Sequence, residues 1–324
     1  MIQANSTYYM NGVLIREKII PDGTKWTNAK YASAAGFYVG QLYKAQKAIS
    51  KVQFITIHNT EDIGWAADDG EAYVQFTYAE GMNSTRVHFY VDETGAWQTL
   101  KAGTGLCKND STNKAEVGWH AGDGNKATGG NMNSIALEIV MNENKESDAK
   151  AYDNGARMAA WLLYRHGLTI DKLVTHTYWV NKLAGKTFAD VDDQCCNLIY
   201  GKKWCPTFIF NSNDPTIAKK NWMAFKNTVK KYLDQLKNPP KTTKTLYRVQ
   251  IGAFSSQKAA NDYLADAKKK GFDGFVFKVS SKLYRVQIGA FTSKTNANNY
   301  LTSAKKAGFT GFVISSTTTT SATK

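Results

Sequence analysis

The sequence predicts two folded parts, an α/β domain followed by a small α+β domain with the βαββαβ order of a ferredoxin-like fold. Three observations lead to this fold class. Strand-like and helix-like hydrophobic patterns alternate through the first 237 of the 324 residues. A nine-residue segment recurs without change near the C-terminus. A polar stretch with two adjacent prolines separates the two parts.

The first domain, residues 1–237, is predicted from short apolar strands and longer amphipathic helices. The strand pattern occurs at residues 52–57, 86–91 and 134–140. Residues 153–166 have the pattern of an amphipathic helix. Asp214 and Pro215 are typical of a helix start. The helix that follows carries four large apolar residues on one face, Trp222, Phe225, Val229 and Leu233, and we expect it to end the domain near Lys237.

The second domain, residues 246–316, is an internal repeat. Residues 246–254 and 283–291 share the sequence LYRVQIGAF, and Gly-Phe-Val at 274–276 returns at 311–313. Each copy, 246–279 and 283–316, has the pattern of a strand, a helix and a second strand. Two copies together give a four-stranded antiparallel sheet with both helices on one face. Residues 238–245 are predicted to be a linker, and the Thr-rich residues 317–324 a disordered tail.

Composition excludes several classes of protein. Hydrophobic residues make up 43% and charged residues 21%, as in globular proteins. The mean hydropathy is -0.42, and no apolar run approaches the roughly 18 residues of a membrane span. The first residues carry neither a cationic leader nor an apolar stretch, so we expect synthesis in the cytoplasm without a signal peptide. Four unevenly spaced cysteines argue against a disulfide framework.

Positive charge is concentrated in the last quarter of the chain. Residues 238–324 hold 14 Lys and Arg against 3 Asp, a net charge of +11 out of +14 for the whole chain. Such a segment is either a solvated surface or an attractor of polyanions, such as nucleic acid or an anionic cell surface. Its aromatic residues are not interleaved with Lys and Arg as in nucleic-acid platforms, so no nucleic-acid partner is expected.

Three residues with metal-ligand chemistry stand near the ends of predicted elements: His58, His176 and Cys205. Two imidazoles and one thiolate favour Zn²⁺, with a fourth tetrahedral position left for water as in catalytic zinc sites. The spacings of 118 and 29 residues match no compact zinc motif. Taken singly, each of the three is also compatible with an ordinary structural role.

Four ordered motifs carry a family resemblance. They are FITIHNT at 54–60, GWHAGDG at 118–124, NSIALEI at 133–139 and KWCP at 203–206. In this order they resemble the zinc-dependent N-acetylmuramoyl-L-alanine amidases of the amidase-2 group, which are related to peptidoglycan recognition proteins and common among phage endolysins. The resemblance covers about residues 50–210. It implies a central mixed sheet flanked by helices and cleavage of the amide between N-acetylmuramic acid and L-alanine. It also implies one zinc ion per chain, held by His58, His176 and Cys205.

Two residues are candidates for the catalytic steps. In an alternating strand, Glu138 shares a face with Ala136 and Val140, and these apolar neighbours are expected to raise its pKa. A carboxyl of raised pKa next to a zinc-bound water suits a general base, which is the part that the matching glutamate has in the family. Lys203, two residues before Cys205, is expected to stabilise the oxyanion of the tetrahedral intermediate, as in family members with Lys-x-Cys.

Three residues of the family motifs are expected to contact the substrate: Asn59, Trp119 and His120. For His120 the alternative is an exposed loop histidine. An insertion at 177–202 leaves a second question open, because Cys196, next to Cys195, competes with Cys205 as the thiolate ligand. The first 50 residues contain a group of aromatic side chains that either pack on the sheet or shape the substrate groove, namely Trp26, Tyr31, Phe37 and Tyr43.

The C-terminal repeats resemble SPOR domains, which bind glycan strands of peptidoglycan. Alternation places Arg248 and Gln250 on one face of the first strand, and Arg285 and Gln287 on the corresponding face of its repeat. Sugar hydroxyl and acetamido groups need such donors and acceptors. The alternative is a solvated sheet face whose repeat only builds the fold.

The sequence therefore predicts a two-domain cell-wall hydrolase, a phage or prophage endolysin or an autolysin, released from the cytoplasm to act at the wall. The expected partners are the stem peptides and glycan strands of peptidoglycan, and anionic wall polymers, with neither nucleic acid nor membrane. The alternative is a non-catalytic peptidoglycan receptor on the same fold. Cys205 and Glu138 argue against a receptor, since it needs neither a thiolate ligand nor a general base.

Overall fold

The computed structural model describes residues 2–60, 69–82, 85–106, 109–110, 114–141, 145–197, 204–239 and 241–321. The chain divides into two compact units, Met1–Asn238 and Pro239–Lys324. Among the described residues, no helix combines the length and the apolar character needed to cross a bilayer.

A mixed sheet lies at the centre of the first unit. Its strands, within the part of the chain that the structure describes, are β1 (Ser6–Met10), β2 (Val13–Glu17), β3 (Phe54–Asn59), β4 (Phe89–Asp92), β5 (Gly95–Gln98), β6 (Ser134–Ile139) and β7 (Leu173–Thr175). They are arranged in the order β1-β2-β5-β4-β6-β3-β7. The pairs β4–β6, β6–β3 and β3–β7 are all parallel. This parallel half of the sheet is where the carboxyl ends of neighbouring strands meet at one edge.

Helices cover both faces of this sheet. They are α1 (Ala29–Ala34), α2 (Gly70–Tyr78), α3 (Gly130–Asn133), α4 (Lys145–Arg165), α5 (His176–Leu183), α6 (Val191–Cys196), α7 (Thr207–Phe210) and α8 (Pro215–Lys237), with a 3-10 turn at Ile170–Lys172. Ile135, Leu137 and Ile139 of β6 lie in the core that contains α4 and α8. Ala136, on the other face, packs in the core that contains Tyr73 of α2. The predicted α/β class with helices flanking a mixed sheet is confirmed.

The last helix of the first unit forms as its sequence predicts. The side chain of Asp214 accepts hydrogen bonds from the backbone N–H groups of Thr216 and Ile217, and Pro215 occupies the first turn. The four large residues of the predicted stripe, Trp222, Phe225, Val229 and Leu233, are all buried. This stripe fixes α8 against α4 because both helices contribute to one apolar core.

The second unit has the predicted ferredoxin-like order. Its elements are β8 (Lys241–Phe254), α9 (Gln257–Lys269), β9 (Gly274–Ser280), β10 (Leu283–Phe291), α10 (Lys294–Lys306) and β11 (Phe312–Ser321). The four strands are arranged as β11-β8-β10-β9, and all three pairs are antiparallel. Alternate residues of the central strands are buried with the helices: Val249, Ile251, Val286 and Ile288. The other face of this sheet carries no helix among the described residues.

Two predicted boundaries of the second unit are corrected by the structure. Residues 241–245, predicted as linker, and residues 317–321, predicted as tail, are strand. Thr245 lies opposite Thr317, and Lys241 lies opposite Ser321. Threonine favours extended backbone, and each segment supplies the hydrogen-bond partners of the other. This pairing outweighs their polar composition, which is why the pattern of either segment alone is misleading. Residues 322–324 lie outside the described part.

Candidate metal centre

Three side chains converge at the edge of the sheet where the parallel strands end. His58 is the next-to-last residue of β3. His176 is the first residue of α5, directly after β7. Cys205 stands two residues before α7. One ligand atom from each of His58, His176 and Cys205 lies within 4.8 Å of the other two. The structure thus brings together the three candidate ligands of the sequence analysis.

Backbone contacts hold two of these residues in place. The hydroxyl oxygen of Thr177, which follows His176, accepts a hydrogen bond from the backbone N–H of Cys205 at 3.0 Å. The carbonyl oxygen of Cys205 in turn accepts bonds from the hydroxyl and the backbone N–H of Thr177, at 3.0 and 3.1 Å. The loop with Cys205 is therefore fastened to the start of α5, although 28 residues separate Cys205 from Thr177.

The donor set fits a zinc ion. Cys205 Sγ and His58 Nδ1 are 3.8 Å apart. Two ligand atoms on one tetrahedral zinc ion stand about 3.3–3.7 Å from each other, given the usual Zn–N and Zn–S bond lengths. Thiolate and imidazole are also the ligand types that Zn²⁺ prefers. The ligand atoms of the three residues lie within 4.8 Å of one another, so they could hold zinc after movements of about 1 Å.

The competing cysteines lie elsewhere. Cys195 and Cys196 are in α6, and both are fully buried in the apolar core. Burial raises the pKa of Cys195 to about 12 and raises the pKa of Cys196 as well. Such thiols remain protonated at neutral pH, whereas a metal ligand must be a thiolate. Neither belongs to the group formed by His58, His176 and Cys205.

Glu138 lies beside the candidate ligands. It faces His58 directly in the β3–β6 register, and its Oε1 is 4.0 Å from His58 Nδ1. The side chain is 12% exposed. A carboxylate in this position lies next to the candidate metal position. The raised pKa expected for Glu138 stays a prediction, and Lys203 lies outside the described residues.

The structure gives Asn59 a different role from the predicted substrate contact. Its side-chain N–H₂ donates to the carbonyl of Ile139 at 3.0 Å. Its side-chain oxygen accepts from the backbone N–H groups of Phe208 and Ile209, each at 3.1 Å. Asn59 is 2% exposed, so it anchors α7 to the sheet and does not face a substrate. The sequence motif places Asn59 next to His58 but does not show that strand alternation turns it away.

His120 is buried, and both of its ring nitrogens face the protein. Its Nδ1 is 3.1 Å from His58 Nε2, and its Nε2 is 3.4 Å from Ser134 Oγ. Burial, followed by the proximity of His88 and His176, holds the pKa of His120 well below its usual range. The ring is therefore neutral at neutral pH. Its nitrogens are not available for the substrate contact that the sequence analysis expects.

His88 is a structural histidine, as its apolar strand suggests. Its Nδ1 accepts the backbone N–H of Ala136 at 3.1 Å, and its Nε2 is 2.9 Å from the carbonyl oxygen of Glu116. Burial lowers the pKa of His88 to about 4. Its neutral ring therefore links β6 to the segment around Glu116.

A cavity of about 490 Å³ opens beside the candidate ligands. Its walls include Phe37, Thr85, Trp119, His120, Gly122, Gly124, Asn125, Asn131 and His176. Trp119 stacks on Phe37 with 5.3 Å between ring centroids, and Phe37 stacks on Trp26 at 5.5 Å. Trp119 therefore lies in the wall of this cavity, and its contact with the substrate stays a prediction. Phe37 shows that the N-terminal segment also shapes this cavity. Its only signal in the sequence was the cluster of aromatic residues in that segment.

Four polar residues share the open face of the second sheet. Gln250 lies opposite Gln287 in the β8–β10 pair, and each is 6% exposed. Phe312 lies opposite Gln250, and Phe275 lies opposite Gln287, so one row crosses the whole sheet. The two phenylalanines are 55% and 50% exposed. The flanking aromatic side chains were not part of the sequence prediction.

The arginines of this face lie on either side of that row. Arg248 donates a hydrogen bond to the hydroxyl of Ser316, and Arg285 lies opposite Phe277 of β9. The Oε1 atom of Gln250 is buried and has no hydrogen-bond partner among the described residues. The face therefore combines hydrogen-bonding groups with exposed aromatic rings, which is a combination that suits sugars.

Comparison with known proteins gives two family matches. Residues 48–208 match the family described as N-acetylmuramoyl-L-alanine amidase, and residues 241–317 match the SPOR domain family. Two curated relatives are amidases of Bacillus subtilis strain 168. XlyA is 34% identical over 142 residues, which is 43% of this chain and 41% of XlyA. CwlH is 30% identical over 139 residues, 42% of this chain and 48% of CwlH. The chain thus spans less than half the length of either relative.

A solved structure is similar to part of this chain. It is the peptidoglycan binding domain of the B. subtilis cell wall lytic enzyme CwlC. It is 47% identical, with a TM-score of 0.21, and the match covers 22% of this chain and 90% of that domain.

Proposed function

We propose that this chain is a zinc-dependent peptidoglycan hydrolase, because residues 48–208 match the N-acetylmuramoyl-L-alanine amidase family and residues 241–317 match the SPOR family. Its substrate is the amide bond between N-acetylmuramic acid and the L-alanine of the stem peptide. The observation that carries the proposal is the convergence of His58, His176 and Cys205 beside Glu138 at the edge of a cavity. A receptor without catalytic activity would need neither the thiolate nor the carboxylate.

The residues of the site divide the chemical work. His58, His176 and Cys205 would hold a zinc ion, and such an ion would supply Lewis-acid polarisation of the amide carbonyl and a lowered pKa of a water molecule. The Glu138 carboxylate takes the proton of the attacking water and passes it to the departing amine nitrogen. We assign Lys203 to the oxyanion of the tetrahedral intermediate, on the family resemblance alone. Phe37 and Trp119 hold part of the substrate against the cavity wall.

The second unit anchors the enzyme to the wall in this proposal. Gln250 and Gln287 supply hydrogen-bonding groups for the sugars of glycan strands, and Phe275 and Phe312 supply flat apolar surfaces beside them. The net charge of +11 in residues 238–324 adds attraction to anionic wall polymers. We therefore place the action of the protein at the bacterial cell wall, as an endolysin or an autolysin.

The activity is tested by digesting purified peptidoglycan. New amino termini on alanine without new reducing sugars are the expected products. New reducing ends without free alanine amino groups would show a glycosidase and contradict the proposal. A chelator should abolish the release of alanine amino termini, and Zn²⁺ should restore it.

The ligand set is tested by zinc content, with two cysteine variants as a matched pair. Cys205→Ser should lose zinc because the thiolate is removed, whereas Cys196→Ser should retain one zinc per chain because that thiol is in the core. The opposite result would move the thiolate ligand to α6.

Wall binding is tested with the full chain and peptidoglycan freed of anionic polymers. The double variant Gln250→Ala/Gln287→Ala should no longer sediment with this material at high salt. Gln257→Ala, an exposed glutamine at the start of α9, is the control and should bind like the wild type. If the double variant binds like the wild type and both lose binding at high salt, the positive charge of the unit alone would explain the binding.

A further inference from the structure

The two ring nitrogens of His58 face different partners. Nδ1 lies 3.8 Å from Cys205 Sγ and points to the candidate metal position. Nε2 lies 3.1 Å from His120 Nδ1. An imidazole binds a metal through a nitrogen without a proton, so the other nitrogen of the neutral ring must carry it. The question is what keeps the proton of His58 on Nε2.

A chain of hydrogen bonds behind His120 has a fixed direction at its start. The indole Nε1–H of Trp179 can only donate, and it lies 2.9 Å from Thr56 Oγ1. Thr56 Oγ1 therefore accepts from Trp179 and donates its own proton to Ser134 Oγ at 2.8 Å. Ser134 Oγ donates onward to the carbonyl oxygen of Gly130 at 2.8 Å, and a carbonyl can only accept.

This direction decides the proton positions on both histidines. The single hydroxyl proton of Ser134 is used on the Gly130 carbonyl, so towards His120 Nε2, at 3.4 Å, Ser134 Oγ can only accept. Of the two single-proton forms of the His120 ring, only the one with its proton on Nε2 can donate to Ser134 Oγ, and this form leaves a lone pair on Nδ1. That lone pair accepts the Nε2–H of His58. The lone pair of His58 is left on Nδ1, on the side of Cys205.

We propose that His120 and Ser134 are positioning residues for the metal centre, holding His58 in the tautomer whose bare Nδ1 faces Cys205. This inference rests on the proposed zinc site. The usual partner of a metal-binding histidine is a carboxylate, a backbone carbonyl or water. Here a second histidine takes that place, and Ser134 fixes its tautomer.

Hydrogen bonds fix the backbone of the segment that contains His120 and Gly130. Asn131 Oδ1 accepts the backbone N–H groups of His120 and Ala121, each at 2.8 Å. The Asp123 carboxylate accepts the backbone N–H of Gly130. A side chain at Gly130 would place its Cβ 2.7 Å from atoms of Ala121 and Trp179. Glycine is therefore needed at this position, whose carbonyl oxygen accepts the hydrogen bond of the Ser134 hydroxyl. These contacts account for the glycine at position 130, while Gly122 and Gly124 of the same segment lie in the wall of the cavity.

The first test measures zinc affinity of the full chain by competition with a chelator. His120→Ala should weaken zinc binding by roughly 10–100-fold, the usual cost of losing the partner of a metal-binding histidine. His120→Asn should recover part of the loss, because its side-chain oxygen can accept near the position of Nδ1. Ser134→Ala should also weaken binding. Thr99→Val is the control, because Thr99 is buried and its hydroxyl donates to the carbonyl of Val87, and it should bind zinc like the wild type.

The second test reads the tautomers directly, by NMR of ¹⁵N-labelled histidine in the metal-free full chain. The wild type should show Nε2–H tautomers for both His58 and His120, and Ser134→Ala should show a mixture at His120. An Nδ1–H tautomer at His58 would overturn the inference even if the variants fail to fold.

The two tests separate this inference from the proposed function. A wild type that binds no zinc would refute the zinc site, while the tautomers would still be read. If His120→Ala and Ser134→Ala fold and bind zinc as tightly as the wild type does, the positioning role is wrong and the proposed zinc site is unaffected.

Discussion

Acid should destabilise the first unit through His88, and the size of the effect follows from its burial. Burial lowers the pKa of His88 from its ordinary value of 6.5 to about 4 in the folded protein. Between these two values the unfolded chain binds more protons at His88 than the folded chain does. The contribution of His88 to the free energy of unfolding is therefore fully present above its unfolded pKa, and it is lost as the pH falls towards its folded pKa.

The magnitude can be worked from these two pKa values. The pKa of His88 is lowered from 6.5 to about 4 on folding. When the pH falls from 7 to 4.5, such a group lowers the free energy of unfolding by about 2–3 kcal/mol. That is a large share of the roughly 5–15 kcal/mol that holds a typical domain together. Replacing the ring by a side chain that does not titrate should remove this part of the acid sensitivity.

The assay is denaturant unfolding of wild type and His88→Gln at both pH values, with a chelator present in every sample. All eight tryptophans lie before residue 238, so tryptophan fluorescence reports the first unit alone. The variant lacks the hydrogen bonds of His88 at both pH values. This loss cancels because the free energy of unfolding of each protein at pH 4.5 is compared with that of the same protein at pH 7. Other buried groups contribute to both proteins, and the pKa of His120 differs between them only by the part that His88 causes, which is smaller than the effect of burial, so the difference between the two losses reports mainly His88. Equal losses of free energy in the two proteins between pH 7 and pH 4.5 would refute the reasoning.

Three further outcomes are expected. Glu138→Gln should retain zinc and a native unfolding midpoint while its rate of amide cleavage falls by roughly 10²–10⁴, and a variant with full activity would move the proton transfer elsewhere. Phe37→Ala should lower kcat/KM on wall fragments by up to about 10-fold, mainly through KM, because a stacked ring is worth about 0.5–1.5 kcal/mol. Tyr38→Ala, 71% exposed and next to it, is its control and should change kcat/KM less than twofold; equal effects of the two would exclude a stacking role. A chain ending at Asn238 should cleave a soluble muramyl peptide at the rate of the full chain but release less from whole walls, and loss of both would mean that the units depend on each other.

Some features of the site were predictable from sequence because they depend on local rules. His58 and His176 follow apolar strand patterns, and parallel strands bring their carboxyl ends to one edge. Alternation in β6 separates the face of Ile135 and Leu137 from the face of Glu138, as the structure has it. The stripe of α8 and the repeat of the second unit are likewise local patterns, and both describe the fold correctly.

Other features depend on partners that are distant in sequence. Asn59 turns to a segment about 150 residues away, and nothing in its own motif shows this. The ring nitrogens of His120 face His58 and a chain of hydrogen bonds that reaches Trp179, and the motif around His120 shows neither partner. Phe37 contacts Trp119 by stacking across more than 80 residues. In each case the side chain is typical of a binding residue, and only its three-dimensional partner decides its role.

The strand pairing of Lys241 with Ser321 has a practical consequence for protein engineering. Adjacent strands are about 4.8 Å apart, so the polypeptide enters and leaves this βαββαβ unit at nearly the same point. A unit of this kind can be fused to either end of another protein, or spliced into a surface turn, without spreading the host's backbone. Residues 241–321 can for this reason be transplanted as one segment into other proteins.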